Sequence, residues 1–282
     1  MRFSREDAEI FVPDGSEARE ALARATHLCV AAHPDDVEVM ALDGILQCFG
    51  RADRAFLAVI LTDGAGSPRE GVYGRYSDAE MRAVRRKEQK KAACVGEYAA
   101  VVFLNHSSND LKDRLCPSPT EDLVTLLSRC RLQVVYAHNL ADRHDTHVAA
   151  ALRSIAAIRR MPREGRPGKL YGCEVWRDLD WLAEEDKVVF RLDDHPNIAS
   201  ALVAVFDSQI AGGKRYDLAV AGRRRAHATF HQSHSVDVSS LVSFAMDLTP
   251  LVANDGLDAL GFAQDHIRRF AGDVSARIAR LT

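Results

Sequence analysis

The sequence predicts an α/β protein: an open parallel sheet with helices on both faces, followed by a C-terminal, mostly helical extension. Three observations carry this expectation. Short apolar runs alternate with segments whose apolar residues recur at helical spacing. The runs are of strand length and show little polar alternation, as strands covered on both faces should. The alternation repeats in four successive units between residues 27 and 160, which implies parallel strands joined by right-handed crossovers.

Each element has its own justification. Residues 27–32 (HLCVAA) read as the first strand, and a helical stripe through Val37, Met40, Ala41, Ile45 and Phe49 follows over 37–49. Residues 55–62 (AFLAVILT) are the clearest buried strand. A loop rich in glycine and charge runs from Asp63 to Tyr76. Ser77 and Glu80 then spell an S-x-x-E capping box, opening a helix to about Cys94. Residues 100–104 (AVVFL) are the third strand. Ser118-Pro119-Thr120-Glu121 spells a second capping box with proline at the first helical position, for a helix to about Arg131. Residues 133–137 (QVVYA) are the fourth strand, and a helix from about Thr146 to Arg160 follows. The linker 163–169 breaks the pattern, and beyond it come two strand-like pieces, 170–176 and 187–192, then helices. The last helix, about Leu257 to Leu281, carries an apolar stripe through Leu260, Ile267, Phe270, Val274, Ile278 and Leu281. It reads as amphipathic, packing on the domain or on a neighbouring subunit. The expected organisation is a Rossmann-like core over 1–165 that carries the chemistry. Residues 166–282 complete the pocket and offer a surface for a homo-oligomer, the two parts forming one structural domain.

Composition narrows the function classes. The 282 residues carry 37 Lys+Arg against 40 Asp+Glu, a formal net charge of -3. This leaves no basic footprint for non-specific nucleic-acid binding. Hydrophobic residues at 47% and charged residues at 27% speak against wholesale disorder. No apolar run approaches the roughly 18 residues that span a bilayer. The first residues are charged and lack the apolar region of a signal peptide, so the cytoplasm is the expected compartment. The six cysteines are scattered and none forms C-x-x-C. They read as small hydrophobes in a reducing compartment, leaving histidine and carboxylates to hold any metal.

In an open α/β sheet, ligands bind outside the carboxyl ends of the strands where strand order reverses. The loop after the first strand is Ala32-His33-Pro34-Asp35-Asp36-Val37-Glu38, and the loop after the fourth is His138-Asn139-Leu140-Ala141-Asp142-Arg143-His144-Asp145-Thr146-His147. Neither a dinucleotide fingerprint nor a P-loop is present. With the usual order 3-2-1-4, these two loops face each other, and His33, Asp36 and His147 can converge. Two imidazoles and one carboxylate with a fourth position open describe a catalytic zinc site. Asp35 is then free to act as a base. The bland alternative is a capped turn with Asp36 at the helix N-cap.

The run Ala32-His33-Pro34-Asp35-Asp36 resembles the A-H-P-D-D signature of the PIG-L/LmbE-like zinc deacetylases. Members remove acetyl from N-acetylglucosamine units, as in mycothiol, bacillithiol and glycosylphosphatidylinositol precursors. Supporting matches fall in the right order over residues 27–210. Thr62-Asp63-Gly64-Ala65-Gly66 resembles the T-x-G-x-G loop, and Arg85-Arg86-Lys87-Glu88 the R-x-x-E helix. Asn109-Asp110-Leu111 stands where the family keeps an Asp, Asp142-x-His144-x-x-His147 resembles the D-x-H-x-D-H element, and Ser208-Gln209 the later S-Q pair. The resemblance implies His33, Asp36 and His147 as ligands of zinc or another divalent metal such as ferrous iron. It implies Asp35 as general base and His144 as partner acid or oxyanion stabiliser. Arg85 and Asp110 would bind sugar hydroxyls, and Arg69, on the loop after the second strand, is a further candidate for substrate contact. One departure stands out. The family reads H-P-D-H where this chain has His144-Asp145-Thr146-His147, so orientation of the histidines falls to Asp142 or Asp145.

The expected activity is therefore hydrolysis of the N-acetyl group of an N-acetylglucosamine-type sugar or glycoconjugate. A carbohydrate-binding relative without turnover, and a zinc amidohydrolase of another N-acyl substrate, remain as alternatives. His227, His231 and His234, at i, i+4 and i+7, read as a polar helix face rather than a second metal site. His138 reads as a hydrogen-bonded loop residue near the site, His106 as a candidate for the pocket wall. Trp176 and Trp181 read as core, as lid or as stacking platforms for a sugar.

Overall fold

The computed structural model describes every residue from Met1 to Thr282. In chain order the elements are β1 (Glu9–Phe11), α1 (Ala18–Arg24), β2 (His27–Ala31), α2 (Asp36–Met40), α3 (Leu42–Cys48), β3 (Phe56–Thr62), α4 (Asp78–Val95), β4 (Ala100–His106), α5 (Ser108–Lys112), α6 (Ser118–Leu127), β5 (Val134–His138), α7 (Asp145–Arg159), β6 (Lys169–Cys173), β7 (Lys187–Arg191), α8 (Pro196–Ala204), α9 (Asp207–Gln209), α10 (Tyr216–Phe230), β8 (Val242–Asp247), α11 (Thr249–Ala253) and α12 (Ala259–Leu281).

One eight-stranded sheet runs in the order β1-β4-β3-β2-β5-β6-β8-β7. Its centre, from β4 through β3, β2 and β5 to β6, is parallel. β1 and β8 flank it antiparallel, and β7 at the edge pairs antiparallel with β8. Strand β3 shows why the centre forms. Alternate side chains point to opposite faces, and both faces are covered. Leu57, Val59 and Leu61 pack with Leu123, Leu126, Ile155 and Ile158 of α6 and α7. Phe56, Ala58 and Ile60 pack with Val37, Ile45, Ala92 and Leu202 of α2, α3, α4 and α8.

The α/β class, the helices on both faces and the 3-2-1-4 order of the four central strands agree with the sequence-based expectation. The flanks are mixed rather than parallel, and the C-terminal segment supplies three strands as well as helices. Three local expectations are corrected. The helix expected over 37–49 is interrupted at Ala41, whose backbone is non-helical (φ -113, ψ 24). The cause is Arg224, whose guanidinium donates to the carbonyls of Glu38 and Val39 at 2.8 and 3.0 Å. Those are the acceptors a continuous helix would give to residues 42 and 43. The box expected at Ser77 and Glu80 is present, but Ser118 lies inside α6, whose N-cap, Pro117, offers no side-chain bond. A capping box forms instead between Ser107 and Asp110. Finally, α12 packs on the body through its first half, where Phe262 meets the core, His266 is buried and Phe270 meets Trp181. Its stripe from Leu260 to Leu281 is otherwise largely exposed. No helix is long and apolar enough to cross a membrane, and all six cysteines are unpaired.

Candidate metal centre and catalytic crevice

Strand order reverses between β2 and β5, which are hydrogen-bonded neighbours. From the end of β2 the chain passes through Ala32, His33, Pro34 and Asp35 into α2. From the end of β5 it passes through Asp142 and His144 into α7, whose first turn carries His147. At this switch point three atoms form a nearly equilateral triangle. His33 Nδ1 lies 3.2 Å from Asp36 Oδ2, and His147 Nε2 lies 3.4 Å from that oxygen. The two nitrogens are 3.3 Å apart. A tetrahedral ion with bonds of about 2.0–2.1 Å places its ligands about 3.3–3.4 Å from one another. The donor set therefore fits a divalent metal in chemistry and in spacing.

The surroundings hold these atoms in place. The His33 backbone N–H donates to Asp36 Oδ2 at 2.8 Å. Asp142 Oδ1 lies 3.5 Å from His147 Nδ1, on the side away from the triangle. Asp142 itself accepts from the backbone N–H groups of His144 and Trp176. A carboxylate behind a ligating imidazole fixes its tautomer and orientation. His138 is fully buried against the trio, its ring stacked on His147 at 4.0 Å between centroids. Its Nε2 accepts the Ala32 N–H at 3.0 Å. Burial pushes the Asp36 pKa up, but His147, His138 and His33 outweigh it, so the carboxylate is held below its usual range.

Asp35 stands beside the trio without belonging to it. Its φ is 87°, in the left-handed region that residues other than glycine rarely adopt. The strain is held by two contacts. The Asp35 N–H donates to Gln89 Oε1 at 3.1 Å, and its Oδ2 lies 3.2 Å from Arg85 Nη2. Gln89 is in turn fixed by donating to Glu38 Oε1 at 2.8 Å, an oxygen that also accepts from the Tyr98 hydroxyl. Burial pushes the Asp35 carboxyl up to about 7, against the lowering effect of Arg85. Burial and the adjacent His147 lower the pKa of His144. His144 Nδ1 accepts the Thr146 N–H at 3.2 Å, so the neutral ring carries its proton on Nε2. These groups floor a crevice of about 500 Å³, walled by the Gly64–Pro68 loop and by Lys112, Trp176, Gln209, Lys214 and Tyr216.

Of the residues singled out in the sequence, the structure brings together His33, Asp36, His147, Asp35, His144, Asp142 and Arg85. It leaves others apart. Asp145 is exposed in the first turn of α7, so Asp142 alone stands behind His147. Asp110 closes the capping box with Ser107 and does not line the crevice. Arg69 is occupied by the carbonyls of Tyr76 and Ala65 and by Asp78. Arg85 reaches the crevice but spends its guanidinium on the Gly64 and Pro34 carbonyls and on Asp35. His227 pairs with Glu174 and His231 with Glu184, and His234 lies beyond the end of α10. His106 bonds Asp122 instead of lining the crevice. Trp176 lines it, whereas Trp181 packs against Phe270. Sequence reasoning missed Gln89, Tyr216 and Lys214. Gln89 follows Arg85 by four residues, hence on the same helix face, which is the signal that could have found it.

A reversing parallel sheet with a His/Asp/His trio and a spare carboxylate at its switch point defines an α/β protein whose crevice has a donor set able to hold a metal ion. Residues 28–158, from β2 through α7, match the family PIG-L: GlcNAc-PI de-N-acetylase. Over this stretch the chain is similar to a deacetylase family. No curated protein matches the sequence. Solved structures share the fold at low identity. A conserved protein of Thermus thermophilus is 20% identical with a TM-score of 0.63, covering 83% of this chain and 100% of its own. The N,N'-diacetylchitobiose deacetylase of Pyrococcus horikoshii is 16% identical with a TM-score of 0.62, covering 81% of this chain and 85% of its own. The 4-carboxy-2-hydroxymuconate hydratase of Pseudomonas putida is 18% identical with a TM-score of 0.58, covering 79% and 96%.

Proposed function

We propose that this protein hydrolyses the N-acyl amide of an N-acetylglucosamine-type amino sugar or glycoconjugate, with zinc or another divalent metal held by His33, Asp36 and His147. The carrying observation is Asp35: a carboxylate kept out of the ligand triangle, yet beside it, on a strained backbone that two buried contacts maintain. Such strain persists where the surroundings over-determine it, and it gathers at functional sites. A carbohydrate-binding relative would have no use for it.

A metal in the triangle would polarise the amide carbonyl and acidify a water molecule. The chain's own residues do the rest. Asp35 takes the proton of the attacking water, its raised pKa matching neutral pH. His144, neutral and protonated on Nε2, donates to the carbonyl oxygen as negative charge develops there. Asp35 then passes its proton to the departing nitrogen, leaving a free amine and a carboxylic acid. Arg85 pins Asp35 between the two loops. Asp142 orients His147.

Asp35→Asn tests this. Asparagine is nearly isosteric and tolerates the left-handed backbone. The variant should retain metal by elemental analysis and lose at least about 10²-fold in amine release from N-acetylglucosaminides. Unchanged turnover would remove Asp35 from the reaction. A metal-loaded native protein inert on every N-acyl amino sugar would end the deacetylase reading.

A further inference from the structure

The crevice has a second limb that acetyl hydrolysis does not need. Asp35, Asp36, Trp176 and Tyr216 line both the main crevice and a cavity of about 190 Å³ beside it. The two limbs differ in chemistry. The main crevice offers hydroxyls, amides and ammonium groups from Ser67, Ser108, Lys112, Gln209 and Lys214. The side cavity is walled by Val39, Val175, Ala219 and Val220 with the rings of Trp176 and Tyr216. Those rings meet edge to face, 6.3 Å between centroids. The one arginine there, Arg223, has its guanidinium donating to the Val175 carbonyl at 2.5 Å. The two carboxylates at the junction are held by His33 and Arg85. A sugar placed in this limb would lose its hydrogen bonds to water without replacement. A hydrocarbon would lose nothing.

An N-acyl amino sugar joins a hydroxylated half to a hydrocarbon half. Here a polar limb joins an apolar one at the carboxylate assigned as base and at a carboxylate of the ligand triangle. We propose that the side cavity is an acyl pocket, and that the substrates are amino sugars whose N-acyl group is longer than acetyl, with about four to six carbons. This rests on the amidohydrolase reading above and specifies its substrate. A water-sized group takes about 30 Å³, so a single methyl leaves most of the 190 Å³ unfilled.

The test uses the zinc-loaded full chain and glucosamine carrying N-acetyl, N-propionyl, N-butyryl or N-hexanoyl groups, with release of free amine as readout. Burial of each methylene should raise kcat/KM about fourfold up to the pocket's length. Ala219→Phe, which fills the limb from α10, should abolish the gain for butyryl and hexanoyl, so that acetyl becomes the best substrate of the four. Val39→Phe, filling it from the other side, should do the same. Rates that fall with every added methylene would overturn the proposal, as would equal losses on all substrates in both filled variants. Hexyl N-acetylglucosaminide is the counter-probe: a gain there with none for N-hexanoylglucosamine would assign the limb to the aglycone instead. If the native protein turns over none of these, the hydrolase reading fails, and binding still decides the pocket. Calorimetric affinity of the same ligands should rise with acyl length, and a flat series would refute the pocket by itself.

Discussion

His33, Pro34, Asp35 and Asp36 were legible as chemistry because consecutive residues at a strand mouth must share a small space. The partners that make them work were not. Gln89 reaches the Asp35 N–H from 54 residues away, and His138 reaches the Ala32 N–H from 106 away. Nothing local in the sequence states either contact. The choice between Asp142 and Asp145 was equally open, since both flank His144. The fold decides it by starting α7 at Asp145 and turning that side chain to solvent. Asp142→Ala should therefore weaken metal binding about 10- to 100-fold, measured by competition with a chromophoric chelator. Asp145→Ala should leave affinity unchanged. Equal effects from the two would show that proximity to His147 is not what matters.

Among the elements, the buried strands and long helices follow directly from periodicity, because burial on both faces of β3 demands apolar residues throughout. Ile60, fully buried in β3, should cost about 2–5 kcal/mol when cut to alanine. Ser77→Ala, which removes the α4 cap, should cost only about 1 kcal/mol. Urea unfolding at equilibrium would rank the two, and a larger loss at Ser77 would contradict the packing described for β3. The missed strands are those whose reason for existing lies elsewhere. β1 is three residues long and exists by pairing with β4. β8 is held between β6 and β7 by antiparallel registers that its own sequence does not announce. The break at Ala41 belongs to the same class, its cause being an arginine 186 residues from Glu38.

At the scale of the molecule, four consecutive βα units made the central sheet predictable, and with it the meeting of the loops after β2 and β5. The antiparallel flank after residue 166 was not, because long-range pairing rather than local pattern builds it. His33 and His147 are 114 residues apart in sequence, so an unfolded chain offers no comparable triangle. A metal that binds only the folded state stabilises it by mass action, about 2.7 kcal/mol at a free concentration 100 times the Kd. At that concentration zinc should raise the melting temperature by several degrees, and a strong chelator should reverse the shift. A melting temperature indifferent to both would mean that the trio holds no ion.

The register between β2 and β5 has a consequence for fidelity. His27 pairs with Val134 and Cys29 with Tyr136, and a slip of one residue would move one loop past the other by about 3.3 Å. That displacement is as large as the edges of the ligand triangle, 3.2 to 3.4 Å. A mispaired sheet, however compact, would leave the three donor atoms too far apart to share an ion. If the trio takes up a metal as proposed, uptake would double as a proofreading step, open to a chain only after its two central strands have found the correct alignment.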